Sequence, residues 1–184
     1  MRPPAGVDLS SNDYLQLSTH PAVTAAFEAG VRAEGAGSTG SRLLRGERRA
    51  FAAIEQRFAT FKHTDRALYF SSGYLANLAV LTTLPEEGDV IFSDALNHAS
   101  LIDATRLSRA ARVVVPHANV DALARAIDET PCTGLRFVVV ESLFSMDGDV
   151  APLAEYARLC GDRHAVLVVD EAHAVGSSAR PAPD

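Results

Sequence analysis

The residues with the greatest chemical capacity fall in four short polar clusters, each directly after an apolar run. Ser71-Ser72-Gly73-Tyr74 follows Ala67-Leu68-Tyr69-Phe70, and Ser93-Asp94, with Asn97-His98 just beyond, follows Val90-Ile91-Phe92. Glu141-Ser142 and then Ser145-Met146-Asp147-Gly148-Asp149 follow Phe137-Val138-Val139-Val140, and Asp170-Glu171-Ala172-His173 follows Val166-Leu167-Val168-Val169. A serine–glycine pair that opens a helix lets a phosphate approach the backbone, where free N–H groups and a partial positive charge await it. The same pair also suits an ordinary turn. A carboxylate that ends a hydrophobic strand, as Asp170 does, is costly unless a positive group faces it. His98 and His173 are each compatible with a plain structural role; two histidines on the edge that holds Asp170 favour chemistry.

The elements that position these clusters are legible in the pattern around them. The apolar runs at 67–70, 90–92, 113–115, 137–140 and 166–169 are short and mostly continuous, and most are β-branched, which suits strands covered on both faces. Helical patterns lie between them, at Tyr74 to Thr83, Asn119 to Asp128 and Leu153 to Leu159. The alternation predicts an α/β architecture of three layers, a mostly parallel sheet between helices. Ligands of such sheets bind beyond the carboxyl ends of the strands, which puts all four clusters on one edge. Before the first run, Pro21 opens a periodic stretch through Val31, a glycine- and serine-rich loop spans Gly35 to Gly46, and Phe51, Ile54 and Phe58 mark a helix from about Arg48 to Phe61.

Composition narrows the function classes. The chain has 184 residues, 47% of them hydrophobic and 22% charged, enough apolar content for a real core. Its net charge of −6 and the lack of a basic stripe with aromatics disfavour a nucleic-acid partner. No apolar stretch reaches the length of a membrane span and no secretory leader is visible, so the expectation is a cytoplasmic protein with Cys132 and Cys160 reduced. Scattered histidines without paired-ligand spacing argue against a metal site. Two motifs mislead. Gly35-Ala36-Gly37-Ser38-Thr39-Gly40 fits the dinucleotide fingerprint, but a helix and not a strand precedes it. Asp170-Glu171-Ala172-His173 spells a helicase box, but no phosphate-binding loop with Gly-Lys-Ser/Thr accompanies it; Lys62 is the only lysine.

A protonated pyridine nitrogen would satisfy Asp170, and an acidic partner to that nitrogen is the electron-sink device of pyridoxal-phosphate (PLP) chemistry. Taken in order, the clusters resemble the α-oxoamine synthases, a branch of the fold-type-I PLP enzymes. The resemblance runs from about Asp8 to Gly176 and rests on Ser11-Asn12-Asp13-Tyr14-Leu15, the loop Gly37 to Arg42, Ser72-Gly73-Tyr74 with Asn77, Asn97-His98-Ala99-Ser100, Phe144 to Asp149, and Asp170 to Gly176. It implies PLP as cofactor, with Gly73 and Tyr74 giving backbone contacts to the phosphate and His98 stacking on the ring. Asp170 would pair with the ring nitrogen, His173 would hydrogen-bond the phenolic oxygen, and Ser145 would share the pocket. His98, Asp170 and His173 would also be the catalytic residues. The implied substrates are an amino acid and an acyl thioester of coenzyme A or an acyl carrier protein, joined with loss of carbon dioxide by a homodimer. His98 to Ala104 and His117 to Val120 point to the member that joins L-alanine to a pimeloyl group, though other members share most of the blocks.

The resemblance also implies a division of the chain: an N-terminal segment with a helix and glycine-rich loop over 1–46, a partial PLP-binding major domain over 47–176, a disordered tail over 177–184, and no C-terminal small domain. The family's Schiff-base lysine lies well beyond its Asp-Glu-Ala-His block, whereas this chain ends eleven residues after His173. Gln16 stands where the family usually has glycine. The expectation is an inactive fragment of a synthase; the competing reading is a non-catalytic, truncated paralogue that binds PLP weakly or pairs with a full-length subunit.

Overall fold

The computed structural model describes residues 10–177. The chain divides into two compact units, Met1–Tyr69 and Phe70–Asp184. Residues 47–69, which the resemblance assigns to the major domain, group with the N-terminal segment in this division.

Among its described residues the first unit holds two α-helices, α1 (Pro21–Glu34) and α2 (Arg49–Lys62). Pro21 occupies the first turn of α1, where its missing N–H costs nothing, and the His20 imidazole caps the Ala22 N–H. The glycine-rich loop between the helices closes on a π-helical turn, Arg42–Gly46. Gly46 is buried there, and any β-carbon on it would collide with the Gly40 carbonyl and the Ser38 hydroxyl, so only glycine fits. Arg42 ties this turn to α2. Its Nε and Nη2 donate to Glu47 at 2.7 and 2.9 Å, and its Nη1 donates to Glu55 at 2.6 Å. The guanidinium also lies 5.1 Å from the centre of the Phe51 ring, which stacks on Tyr69.

The strand expected at 67–70 does not form. Tyr69 N–H donates to Glu55 at 2.8 Å, and its carbonyl accepts from Arg42. Side chains of α2 and the π turn thus take the backbone groups that a sheet neighbour would need, and Leu68 lies 73% exposed. The apolar, β-prone composition of this run is overridden by that tertiary pairing.

The second unit is the α/β body. Helix α3 (Gly73–Thr83) leads to β1 (Val90–Asp94), α4 (Ala99–Leu107), β2 (Ala111–Val115), α5 (Val120–Glu129), β3 (Arg136–Glu141), α6 (Leu153–Asp162) and β4 (Ala165–Asp170). The four strands form one parallel sheet in the order β2-β1-β3-β4. Alternate side chains of each strand enter opposite layers. Ile91, Phe137 and Val139 pack with Leu81, Leu101 and Ala104 from α3 and α4. Val90, Phe92, Val138 and Val140 pack with Leu123, Ile127, Tyr156 and Leu159 from α5 and α6. The central strands β1 and β3 are buried along nearly their whole length, which is why their sequences are continuous runs of apolar residues. Helix α4 carries no serine, threonine or aspartate cap; the His98 ring accepts the Ser100 N–H instead, so the usual start signal is missing from the sequence. No helix among the described residues is long and apolar enough to cross a membrane. Of the expected tail, residues 178–184 lie outside the described residues. Ser177 is held in a turn, its hydroxyl 2.7 Å from the His173 carbonyl.

Candidate functional site

Strands β1, β3 and β4 run parallel, so their carboxyl ends, Asp94, Glu141 and Asp170, share one edge of the sheet. Glu141 and Asp170 are register partners on neighbouring strands and face the same way. A cavity of about 100 Å³ opens at this edge, lined by Gly73, Tyr74, Asn77, His98, Ser100, Glu141, Asp170, Ala172 and His173. Five of the six residues picked from the sequence meet there. Ser145 does not line it; the side chain is exposed, and the residue reaches the site only through its backbone N–H, 3.4 Å from Glu141 Oε2.

Helix α3 contributes its N-terminus. Ser72 is the cap: its hydroxyl accepts the Leu75 N–H at 3.2 Å, and its carbonyl accepts the Ala76 N–H. The N–H groups of Gly73 and Tyr74 are left without partners inside the helix, and the space where a Gly73 β-carbon would stand is open. This is an anion-binding arrangement beside the cavity. The Tyr74 phenol turns away to donate to Asp103 on α4 at 2.8 Å, so the residue's contribution to the cavity is chiefly backbone.

Asp170 is half-buried and held by two donors. Asn77 Nδ2 reaches Oδ2 at 2.8 Å, and the Ala172 N–H reaches Oδ1 at 2.8 Å. Each oxygen keeps acceptor capacity for a further donor. Asn77 Nδ2 also lies 2.9 Å from Ser100 Oγ, which in turn is 2.7 Å from His98 Nδ1. Glu141 is almost fully buried, and its Oε1 accepts the His98 N–H. Burial pushes the Glu141 carboxyl above the usual range, and the nearby Asp170 charge adds to this, against the pull of the His98 and Ser145 N–H groups. The sequence puts Glu141 in a polar cluster and Asn77 and Ser100 in the family blocks, but assigns none of the three a role at the site. Asn77 is detectable in principle, four residues after Gly73 and hence on the same face of α3; Ser100 and Glu141 acquire a role only through contacts between elements.

A second cluster braces the same edge. His117 Nδ1 is 2.9 Å from the fully buried Asp94, and its Nε2 is 2.6 Å from Asp149. The ring meets Phe144 edge-on at 4.4 Å. Phe144 and Asp149 close a tight hairpin through Phe144 N–H to Asp149 O, 2.9 Å, and Gly148 N–H to Phe144 O, 2.9 Å. Gly148 takes a left-handed φ of +73°, which a glycine adopts without strain. His117 therefore ties the hairpin that carries Ser145 to the end of β1. Burial acts to lower the pKa of this imidazole, but the hydrogen bonds to Asp94 and Asp149 outweigh it and hold the ring above its ordinary value.

Comparison with known proteins agrees with this geometry. The aminotransferase class I and II profile matches residues 4–183. The chain is 52% identical over 174 residues to the 8-amino-7-oxononanoate synthase of Burkholderia cenocepacia, a match covering 92% of this chain and 43% of that protein. A serine palmitoyltransferase from S. paucimobilis, solved with a bound PLP–myriocin aldimine, superimposes with a TM-score of 0.84 at 34% identity, over 88% of this chain and 42% of that one. The 8-amino-7-oxononanoate synthase of Francisella tularensis superimposes with a TM-score of 0.73 at 32% identity, over 91% and 45%. The chain thus spans less than half the length of these relatives. With the profile matched almost from end to end and the strand-edge site assembled as described, the chain belongs to the aminotransferase class I and II family.

Proposed function

We propose that this chain is the cofactor-cradling part of a PLP-dependent C-acyltransferase, an 8-amino-7-oxononanoate synthase that joins L-alanine to a pimeloyl thioester in biotin biosynthesis. The acyl carrier would be coenzyme A or an acyl carrier protein, and the working enzyme a cytoplasmic homodimer. The observation that carries the reading is the meeting of Asp170, His98 and the N-terminus of α3 at one cavity. The donor set suits PLP. The Gly73 and Tyr74 N–H groups, with open space over Gly73, would hold the phosphate. Asp170, fixed by Asn77 and Ala172, would take the N–H of the pyridinium and keep it protonated. His98 would cover the ring, and His173, also at the cavity, would reach its phenolic oxygen. When bound, PLP supplies the electron sink that lets the amino acid lose its Cα proton or its carboxylate. The protein residues would orient the ring and hold the charge on its nitrogen.

Identity of 52% with a named 8-amino-7-oxononanoate synthase supports that substrate pair. A second reading is another α-oxoamine synthase, such as glycine C-acetyltransferase or 5-aminolevulinate synthase, which share most of the sequence blocks; the TM-score of 0.84 with a serine palmitoyltransferase shows that the fold does not separate such members. A third reading is a non-catalytic paralogue that binds PLP weakly. PLP enzymes hold the aldehyde as an imine with a lysine, and this chain has only Lys62, on α2. The polypeptide by itself is expected to bind PLP reversibly and to turn over no substrate. Equilibrium dialysis of PLP against the wild type and Asp170→Asn tests the cofactor reading. Loss of one charge-assisted pair, about 1.5–3 kcal/mol, weakens binding roughly 10- to 150-fold. Equal binding by both proteins would refute the assignment of Asp170. Borohydride reduction followed by peptide mapping should find no pyridoxyl group on Lys62; labelling there, with turnover of L-alanine and a pimeloyl thioester, would overturn the expected inactivity.

A further inference from the structure

The hydrogen bonds around Asn77 and Ser100 have only one consistent assignment. The Asn77 amide presents its NH₂ end to Asp170 Oδ2 at 2.8 Å. That NH₂ has two hydrogens, and the second points to Ser100 Oγ at 2.9 Å. Ser100 is 1% exposed, and its hydroxyl, already accepting from Asn77, has its own hydrogen left for His98 Nδ1 at 2.7 Å. The Ser100 backbone N–H donates to the same Nδ1 at 3.1 Å. Two donors converge on Nδ1, so that nitrogen carries no hydrogen and the neutral ring keeps its proton on Nε2.

We propose that Asn77 and Ser100 are positioning residues that lock His98 as the Nε2–H tautomer, so that the ring offers the cavity a hydrogen-bond donor and not an acceptor. The ligand group it suits is anionic or carbonyl-like: a carboxylate, a phenolate or a thioester oxygen. The relay also makes the lock depend on Asp170. Asp170 Oδ2 takes one hydrogen of the Asn77 amide and so fixes which end of that amide faces Ser100. The use made of the donor rests on the cofactor-site reading; the tautomer itself does not.

Nitrogen-15 NMR of the full chain without cofactor, at a pH where the imidazoles are neutral, reads the tautomer directly from the two ring nitrogens. His98→Gln identifies the signal. The wild type should show Nε2 protonated and Nδ1 bare. Ser100→Ala and Asn77→Leu should each move the ratio of the two tautomers about five-fold toward Nδ1–H, the change expected on losing a hydrogen bond of ordinary strength. Ser100→Thr, which keeps the hydroxyl, should restore the wild-type ratio. A wild-type ring protonated on Nδ1, or Ser100→Ala and Asn77→Leu spectra that match the wild type, would overturn the proposal. PLP dialysis on the same proteins separates the two ideas, because an intact tautomer lock with no PLP binding defeats only the cofactor reading.

Discussion

Replacing His117 by glutamine removes a side chain that joins the end of β1 to the Phe144–Asp149 hairpin. Loss of one member of a buried charged pair costs about 3–5 kcal/mol when the other charge is stranded. Two features lower the figure here. Asp94 keeps the N–H groups of Leu96 and Ala118, both at 2.9 Å, and Asp149 is 42% exposed, so solvent screens that half of the bridge. We expect a loss of about 2 kcal/mol in urea unfolding monitored by circular dichroism, with an unchanged slope. The loss should depend on pH with a definite sign. The folded-state pKa of His117 is raised, so its contribution is complete below the unfolded value of about 6.5 and disappears as pH rises through the higher folded value. The stability gap between wild type and His117→Gln should therefore be widest near pH 6 and narrow toward pH 9. A gap that stays constant across this range, or widens with pH, would refute the argument that a charged imidazole bridges the two carboxylates.

Other parts of the molecule yield three further expected outcomes. Gly46→Ala forces a β-carbon into the Gly40 carbonyl and should cost about 1–3 kcal/mol, read as a lower midpoint in thermal unfolding of the first unit; an unchanged midpoint would contradict the packing of the π turn. Ser72→Ala removes the cap of α3 and should destabilise by about 1 kcal/mol, with the added signature of faster amide exchange at Leu75, whose N–H it satisfies. Leu43, Leu44, Phe27 and Leu68 lie 93, 80, 74 and 73% exposed, so the isolated chain should self-associate at micromolar concentration in light scattering. A monodisperse monomer would count against that expectation.

The sequence by itself determined the α/β class and four of the five strands, because β1, β2, β3 and β4 are apolar runs whose period and length leave little choice once helical patterns alternate with them. It also determined which polar residues collect at one edge of the sheet. Polar residues at the ends of parallel strands share an edge whatever the details of packing, and Gly73, His98, Asp170 and His173 meet on that rule alone. Local pattern carries no information about partners far along the chain, and the misses are of that kind. Residues 67–70 have the composition of a strand, but Glu55 and Arg42 claim the backbone of Tyr69. Helix α4 starts on a histidine whose ring doubles as its cap, a use of His98 that no spacing rule announces. Asn77 touches Asp170 across 93 residues of sequence, and His117 gathers Asp94 and Asp149 from 23 and 32 residues away. Hydrogen bonds of this range exist only after the strands are in register and the helices are seated on their faces. Residue types thus marked the strand edge, and tertiary structure decided the burial, the hydrogen-bond partners and the support of the groups along it.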